Sequence, residues 1–230
     1  MTLLGIAASV LIAYAAGNVG RQPSAMPRDA NHTIHIIHCQ DSPTPGIRPA
    51  ATECAVLARK RINSLPLHPI VWRLETFASL AAARRAETTT SIVANAGRRI
   101  WLITLATKRQ RSFADSDFVA EVGPISIPRA RRYDIIVGEA YARPGASTRV
   151  HTHPGPEAWY VMNGQQCLET PHGVLRAAAG QGSFVAAETP MKLNVVGTSN
   201  RDALFFEVGD AAQPWTTASK WQSTGRCGSR

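Results

Sequence analysis

The stretch "VHTHPGPEAWYVMNG" at residues 150–164 combines residue types that bind metal ions. Because side chains alternate along a strand, His151 and His153 are expected on one face of it. The "PGP" at 154–156 cannot continue a central strand and predicts a turn, after which Glu157 opens a second strand. A tight turn would bring this carboxylate back over the two imidazoles. Two neutral imidazoles and one carboxylate are typical ligands of a first-row transition metal.

The elements around this stretch are predicted to be strands. From about residue 118 onward, runs such as "YDIIVGEAYA", "EAWYVMN" and "ALFFEV" alternate with turn sequences such as "PGP", "NG" and "PHG". Short strands at this spacing favour a β-sandwich or a small barrel.

The preceding segment has a different pattern. Residues 69–77 predict a strand, Ser79 can cap a short Ala-rich helix, and a hairpin is expected to turn near 95–97. We therefore expect residues 17–117 to form a polar tether followed by a small α/β segment of unknown role.

The positions of Gly145, His151, His153, Glu157 and Gly164 resemble the first motif of the cupin superfamily, with every spacing met. The resemblance implies a mainly β protein, with a jelly-roll (double-stranded β-helix) barrel over residues 118–210 and a C-terminal tail at 211–230. The first 117 residues lie outside the resemblance. They are either an α/β extension that decorates the barrel or a decayed first cupin half.

The second cupin motif is degenerate. Gly180 is in place, but Ala186, Glu188, Met191 and Val195 stand where the family has Pro, Gly, a fourth ligand His and Asn. Two interpretations follow. Either the site keeps its metal with open coordination positions, as in non-haem Fe(II) oxygenases, or the barrel binds a small molecule and the triad only forms hydrogen bonds.

Four further residues are candidates for the pocket. Met191 would line the position of the missing ligand, and Trp159 shares the face of Glu157. Glu139 and Tyr141 share one face of the preceding strand, where they either support the metal site or face solvent.

The sequence thus leaves three functions open. The first is a metal-dependent oxygenase that acts on a small organic substrate through a divalent Fe, Mn, Zn, Ni or Cu ion. The second is a non-enzymatic module that binds a small molecule. The third is an isomerase or lyase that uses the metal as a Lewis acid.

The charge of the chain excludes few partners. Its 230 residues carry a net charge of +9, but the basic residues form short separate runs. No helix-turn-helix, zinc finger or aromatic-interleaved basic motif is present, so nucleic-acid binding is not expected. A homodimer is compatible with the sequence.

The first residues resemble an export signal. The run from Leu3 to Ala16 is apolar and uncharged, and Ala13-Tyr14-Ala15 fits a cleavage site, which predicts a signal peptide at 1–16. We therefore expect a secreted or periplasmic protein whose mature chain has no transmembrane span. If the run is instead a buried helix, the protein is cytoplasmic.

The cysteines fit an oxidising compartment. We expect disulfides between Cys39 and Cys54, by local closure, and between Cys167 and Cys227, which would anchor the tail. The histidines of "HTIHIIHC", at positions 32, 35 and 38, would not share one face of a strand, so we assign them no metal site.

Overall fold

The computed structural model of the protein describes residues 39–41, 53–66, 68–107 and 111–228. In chain order their elements are β1 (Cys39–Asp41), β2 (Cys54–Ile62), β3 (Ile70–Phe77), α1 (Leu80–Ala86), β4 (Ser91–Ala96), β5 (Arg99–Thr107), β6 (Ser116–Ile125), β7 (Tyr133–Ala142), β8 (His151–Thr152), β9 (Glu157–Asn163), β10 (Gln165–Thr170), β11 (Gly173–Ala178), β12 (Gly182–Val185), β13 (Lys192–Val196), β14 (Arg201–Asp210) and β15 (Thr217–Ala218). The prediction of a mainly β chain is confirmed. Within these ranges, no helix has the length and apolar character needed to span a bilayer.

A six-stranded sheet forms the middle layer, in the order β1-β2-β7-β14-β9-β12. All neighbouring strands are antiparallel except β1 and β2. Both faces of this sheet are buried, because alternate residues of β7 enter two different cores. Ile135 and Val137 pack on one side, and Ile136 and Ala140 pack on the other.

The inner face of the six-stranded sheet closes into a barrel. A three-stranded sheet, β11-β10-β13, contributes Leu168 and Leu193 to the same core as Ile136, Trp159 and Phe205 of the middle layer. This arrangement is the predicted jelly roll.

A second, four-stranded sheet, β4-β5-β3-β6, covers the outer face. Its side chains share a core with the outer face of β7 and β14, where Trp72 meets Phe206 edge-on with ring centroids 5.2 Å apart. The strand, the helix and the hairpin predicted for this segment are confirmed, and the Ser79 side chain accepts a hydrogen bond from the Ala82 amide at 3.2 Å.

The boundary expected at residue 117 does not coincide with a boundary between sheets. Strand β2 precedes it but belongs to the barrel sheet, whereas β6 spans it and belongs to the outer sheet. The pairing of β2 with β7 joins residues about seventy positions apart in the chain, such as Ile62 and Tyr133, and local sequence patterns carry no signal for it.

Both predicted disulfides are present. The Cα atoms of Cys39 and Cys54 lie 4.3 Å apart, and those of Cys167 and Cys227 lie 5.7 Å apart. Beside the second bond, the Glu169 carboxylate accepts hydrogen bonds from the tail amides of Gly225 and Cys227, at 2.9 and 2.8 Å. The tail is therefore held against β10. The expected signal peptide at 1–16 and the histidines at 32, 35 and 38 lie outside the described residues.

Candidate metal centre

The structure brings together the three side chains of the first motif. His151 lies in β8, His153 follows it, and Glu157 opens β9. One potential ligand atom from each side chain lies within 4.8 Å of the other two. Of the described residues, no other group of three or more His, Cys, Asp and Glu side chains converges in this way.

The turn between the histidines and the glutamate is fixed by close packing on β14. A Cβ atom on Gly155 would collide with the carbonyl oxygen of Val208, so only glycine fits at this position. The turn therefore places Glu157 beside β14, where its partner in the strand register is Glu207.

Both imidazoles present the same nitrogen to the site. The Nδ1 atom of His151 lies 2.7 Å from the carbonyl oxygen of Arg149, and that of His153 lies 2.5 Å from the carbonyl oxygen of Trp215. A carbonyl oxygen can only accept a hydrogen bond, so each Nδ1 carries the proton. In the neutral ring, Nε2 then keeps its lone pair for a metal.

One of these Nε2 atoms lies close to the Glu157 carboxylate without forming a hydrogen bond to it. Nε2 of His153 lies 3.1 Å from Oε2 of Glu157, yet the contact lacks hydrogen-bond alignment and both atoms are buried without a hydrogen-bond partner. Together with a ring nitrogen of His151, these two atoms form a set of two imidazole nitrogens and one carboxylate oxygen, which are typical ligands of a transition metal. The residues present therefore fit a metal ion.

A residue that sequence analysis missed completes the surroundings. Glu207 in β14 is 1% exposed, and its Oε2 lies 2.9 Å from Nδ1 of His153. A carboxylate behind a metal-binding histidine fixes the ring orientation and increases its basicity. The available signal was the alternation of "RDALFFEV", which places Glu207 on the same strand face as Arg201 and Phe205.

The electrostatics of the group follow from burial and from its two carboxylates. Burial lowers the pKa of His151, which favours the neutral ring that metals require. Burial also opposes protonation of His153, but Glu157 and Glu207 together raise its pKa well above the ordinary value. Burial raises the pKa of Glu207 to about 7, although its contact with His153 acts in the opposite direction.

The triad opens into a cavity of about 300 Å³. Its apolar wall includes Trp159, Leu193, Phe205 and Trp215. A cavity of this size suits a small organic molecule.

Two expected pocket residues lie elsewhere. Ala140 of β7 lines the cavity, so its neighbours Glu139 and Tyr141 point to the opposite face. The Glu139 carboxylate accepts a hydrogen bond from the Gly97 amide at 2.8 Å, and the Tyr141 hydroxyl accepts one from Asn200 at 2.6 Å. Neither side chain lines the cavity, since the sequence showed that they share a face but not which face.

Comparison with known proteins gives structural matches only. No family model and no curated protein matches the chain. An uncharacterized double-stranded β-helix protein from Klebsiella pneumoniae shares 19% identity, with 37% of this chain and 76% of that chain covered and a TM-score of 0.33. DMSP lyase DddQ from Ruegeria pomeroyi shares 18%, with 38% and 45% covered and a TM-score of 0.34. A cupin superfamily protein from Desulfitobacterium hafniense shares 12%, with 33% and 68% covered and a TM-score of 0.31.

The described strands form a jelly-roll barrel, and TM-scores this low add no argument to that description. The match spans less than half of the DMSP lyase chain. Identities this low carry no information on activity, so we argue the function of this barrel from its site.

Met191 lies directly before β13 and forms an isolated bridge with His151. Its backbone pairs with His151 through hydrogen bonds of 2.9 and 3.1 Å in both directions. Directly paired residues share a face, so the buried Met191 side chain lies on the side of His151. A thioether is at most a weak, soft ligand, which leaves the triad with three strong donors.

Proposed function

We propose that this protein is a metal-dependent enzyme that binds a divalent transition metal through His151, His153 and Glu157. The observation that carries the proposal is the convergence of these three side chains, whose potential ligand atoms all lie within 4.8 Å of one another. The adjoining cavity supports a small-molecule substrate.

Among metal-dependent reactions, we favour an oxygenase. Two histidines and one carboxylate form the ligand set of non-haem Fe(II) oxygenases. The coordination positions that these ligands leave open allow the ion to bind and activate O₂. The substitution of Met191 for a fourth strong ligand supports this choice, since it leaves a position open. The protein's part is to hold both imidazoles by their Nδ1 atoms and to line the reaction space with apolar side chains that exclude water.

We also propose that the protein is exported. Both disulfides fit an oxidising compartment, and the apolar run before residue 17 supports this location. Intact-mass measurement of protein from its native host is expected to show a chain that begins near residue 17.

Elemental analysis of protein purified without chelator tests metal binding. We expect close to one transition-metal ion per chain in the parent and little metal in His153→Ala, because two ligands rarely hold such an ion. His172→Ala is the matched control, since His172 is exposed in the turn between β10 and β11. Equal metal content in the parent and in His153→Ala would rule out metal binding at the proposed site.

A second measurement separates an oxygenase from the other functions. Nitric oxide added anaerobically to the Fe(II)-loaded protein is expected to give the S = 3/2 electron paramagnetic resonance signal of a nitrosyl complex. The signal requires an open position for a diatomic ligand. A metal-loaded protein that gives no such signal favours an isomerase or lyase, and a protein that takes up no metal favours a simple binding module.

A further inference from the structure

A buried arginine in the same cavity has no role in holding the metal. Arg201, in β14, is 0% exposed and lines the cavity beside Glu157. Its Nε atom donates to Oε1 of Gln166 at 2.7 Å, and Nε2 of Gln166 donates to Oγ of Ser183 at 3.3 Å. The hydrogen bond from Nε therefore fixes the orientation of the guanidinium group.

The two terminal nitrogens of the same guanidinium group lack hydrogen-bond acceptors. Neither Nη1 nor Nη2 of Arg201 has a hydrogen-bond partner, and neither is accessible to solvent. Burial lowers the pKa of this side chain only to about 10, so it is charged at neutral pH. A buried charge without partners is costly, which makes a ligand that supplies acceptors strongly favoured there.

The acidic groups nearby do not meet this need. Glu157 attracts Arg201 but makes no ion pair with it within 4.0 Å, and its carboxylate is directed at His153. Asp202 is adjacent in the chain, so alternation directs it to the opposite face of β14. The wall of the cavity therefore contains a buried cation whose two Nη donors have no hydrogen-bond partner.

We propose that Arg201 binds the carboxylate group of a small organic substrate. This inference rests on the proposed metal-dependent function, because it places the substrate beside the triad. The parallel donors Nη1 and Nη2 fit the two oxygens of a planar carboxylate. The body of the substrate packs on Trp159 and Phe205, whose side chains line the same cavity.

The cavity also indicates a monocarboxylate with an apolar body. Its volume of about 300 Å³ limits the ligand to a small molecule, and much of its wall is aromatic or aliphatic. A dianionic phosphate is less suitable, because Glu157 is close and only one buried arginine is available to neutralise it.

Benzoate and benzamide are suitable probes, because they match in size and shape and differ in charge. Titration calorimetry on the metal-free protein is expected to give benzoate at least about tenfold tighter binding than benzamide, the range of two charge-assisted hydrogen bonds. Arg201→Met should abolish this preference. Arg176→Met makes the same change at an exposed position of β11 and should retain it. Thermal melting of each variant checks that it is folded.

Three results would overturn the proposal. One is equal binding of benzoate and benzamide to the parent, which requires no variant. Another is an unchanged benzoate preference in folded Arg201→Met. The third is benzoate binding that appears only after Zn²⁺ loading and is insensitive to Arg201→Met, since the ion would then hold the carboxylate. Failure of the metal site itself would leave the benzoate preference of the metal-free protein intact, so the two proposals fail separately.

Discussion

The molecule contains two groups of buried charged side chains, and they differ in what lies beside them. In the outer sheet, Arg73 lies 2.8 Å from Glu121 and 3.5 Å from Glu75. Glu75 also accepts hydrogen bonds from the Phe113 amide and the Ser116 hydroxyl, at 3.2 and 2.8 Å. Each charge in this cluster therefore has a partner of opposite sign.

In the barrel, by contrast, His153, Glu157 and Arg201 line a cavity. Each group contains buried atoms without a hydrogen-bond partner: Nε of Arg73 and Oε2 of Glu75 in the outer cluster, and Nε2 of His153, Oε2 of Glu157 and both Nη atoms of Arg201 in the barrel. Buried charge and unsatisfied atoms therefore do not by themselves mark a functional site. The barrel group is distinguished by three potential metal ligands that converge beside a cavity.

Breaking the outer cluster is expected to have the largest effect on stability. Glu75→Ala leaves Arg73 buried with one partner fewer and removes the acceptor of two hydrogen bonds, so we expect a loss of about 3–5 kcal/mol of unfolding free energy. Urea unfolding measures this loss. Glu121→Ala, at a more exposed partner of the same arginine, should cost less.

The metal content of folded Glu75→Ala should equal that of the parent. A variant that lost its metal while staying folded would show that the two clusters are coupled, and the contrast between them would not stand.

Glu207→Gln should lower the metal affinity of the barrel site without abolishing metal binding. The change removes the negative charge behind His153 but keeps the shape of the side chain, and such changes typically lower metal affinity about 10–100-fold. Competition with a fluorescent Zn²⁺ chelator gives the affinity. Glu188→Gln makes the same change on an exposed side chain and should have no effect. An affinity equal to that of the parent would exclude a role for Glu207.

The stability of the metal-free protein should fall as pH rises through neutrality. Glu207 has its pKa raised from 4.5 to about 7, and the pKa of His153 is also raised, so protonation of this pair favours the folded state. This stabilisation is complete below the unfolded-state values and disappears as pH increases past the folded-state values. We expect a loss of about 1–2 kcal/mol between pH 5.5 and 8, shared by the coupled pair.

Thermal melting across this range tests the sign. In Glu207→Gln the slope should be reduced. A melting temperature that rises with pH in the parent would contradict the assignment. Stabilisation by added Zn²⁺ should show the reverse trend and increase with pH, because the ion competes with a proton on His153.

The smallest effect is expected from the residue opposite His151. Met191→His adds a borderline nitrogen donor where the thioether lies, so metal affinity should rise by about tenfold or less. The Fe(II) nitrosyl signal should decrease, since an open position is filled. Met191→Leu preserves the volume and should leave both properties near those of the parent. Weaker metal binding in Met191→His would show that Met191 is not directed at the ion.

The sequence was sufficient to predict features whose residues lie close together in the chain. His151, His153 and Glu157 lie within seven residues, so strand alternation and one Pro-Gly-Pro turn were enough to predict that they converge. The Ser79 cap and the hairpin after it were equally local.

The sequence was insufficient to predict features that depend on pairing between strands far apart in the chain. Glu207 and Arg201 reach the site only because β14 lies beside β7 and β9. The place of Glu139 stayed open, because alternation fixes which residues share a face but not which face is inside. That choice depends on the outer sheet, whose packing on β7 no local pattern indicates.

Anomalous X-ray diffraction from crystals of the protein loaded with Zn²⁺ tests the central claim most directly. We expect one strong peak at the zinc edge, about 2.0–2.2 Å from Nε2 of His151, Nε2 of His153 and a carboxylate oxygen of Glu157. Nδ1 of His153 should keep its contacts to Trp215 and Glu207. Fully loaded crystals with no peak between these three side chains, or with the zinc bound at another site, would contradict the account.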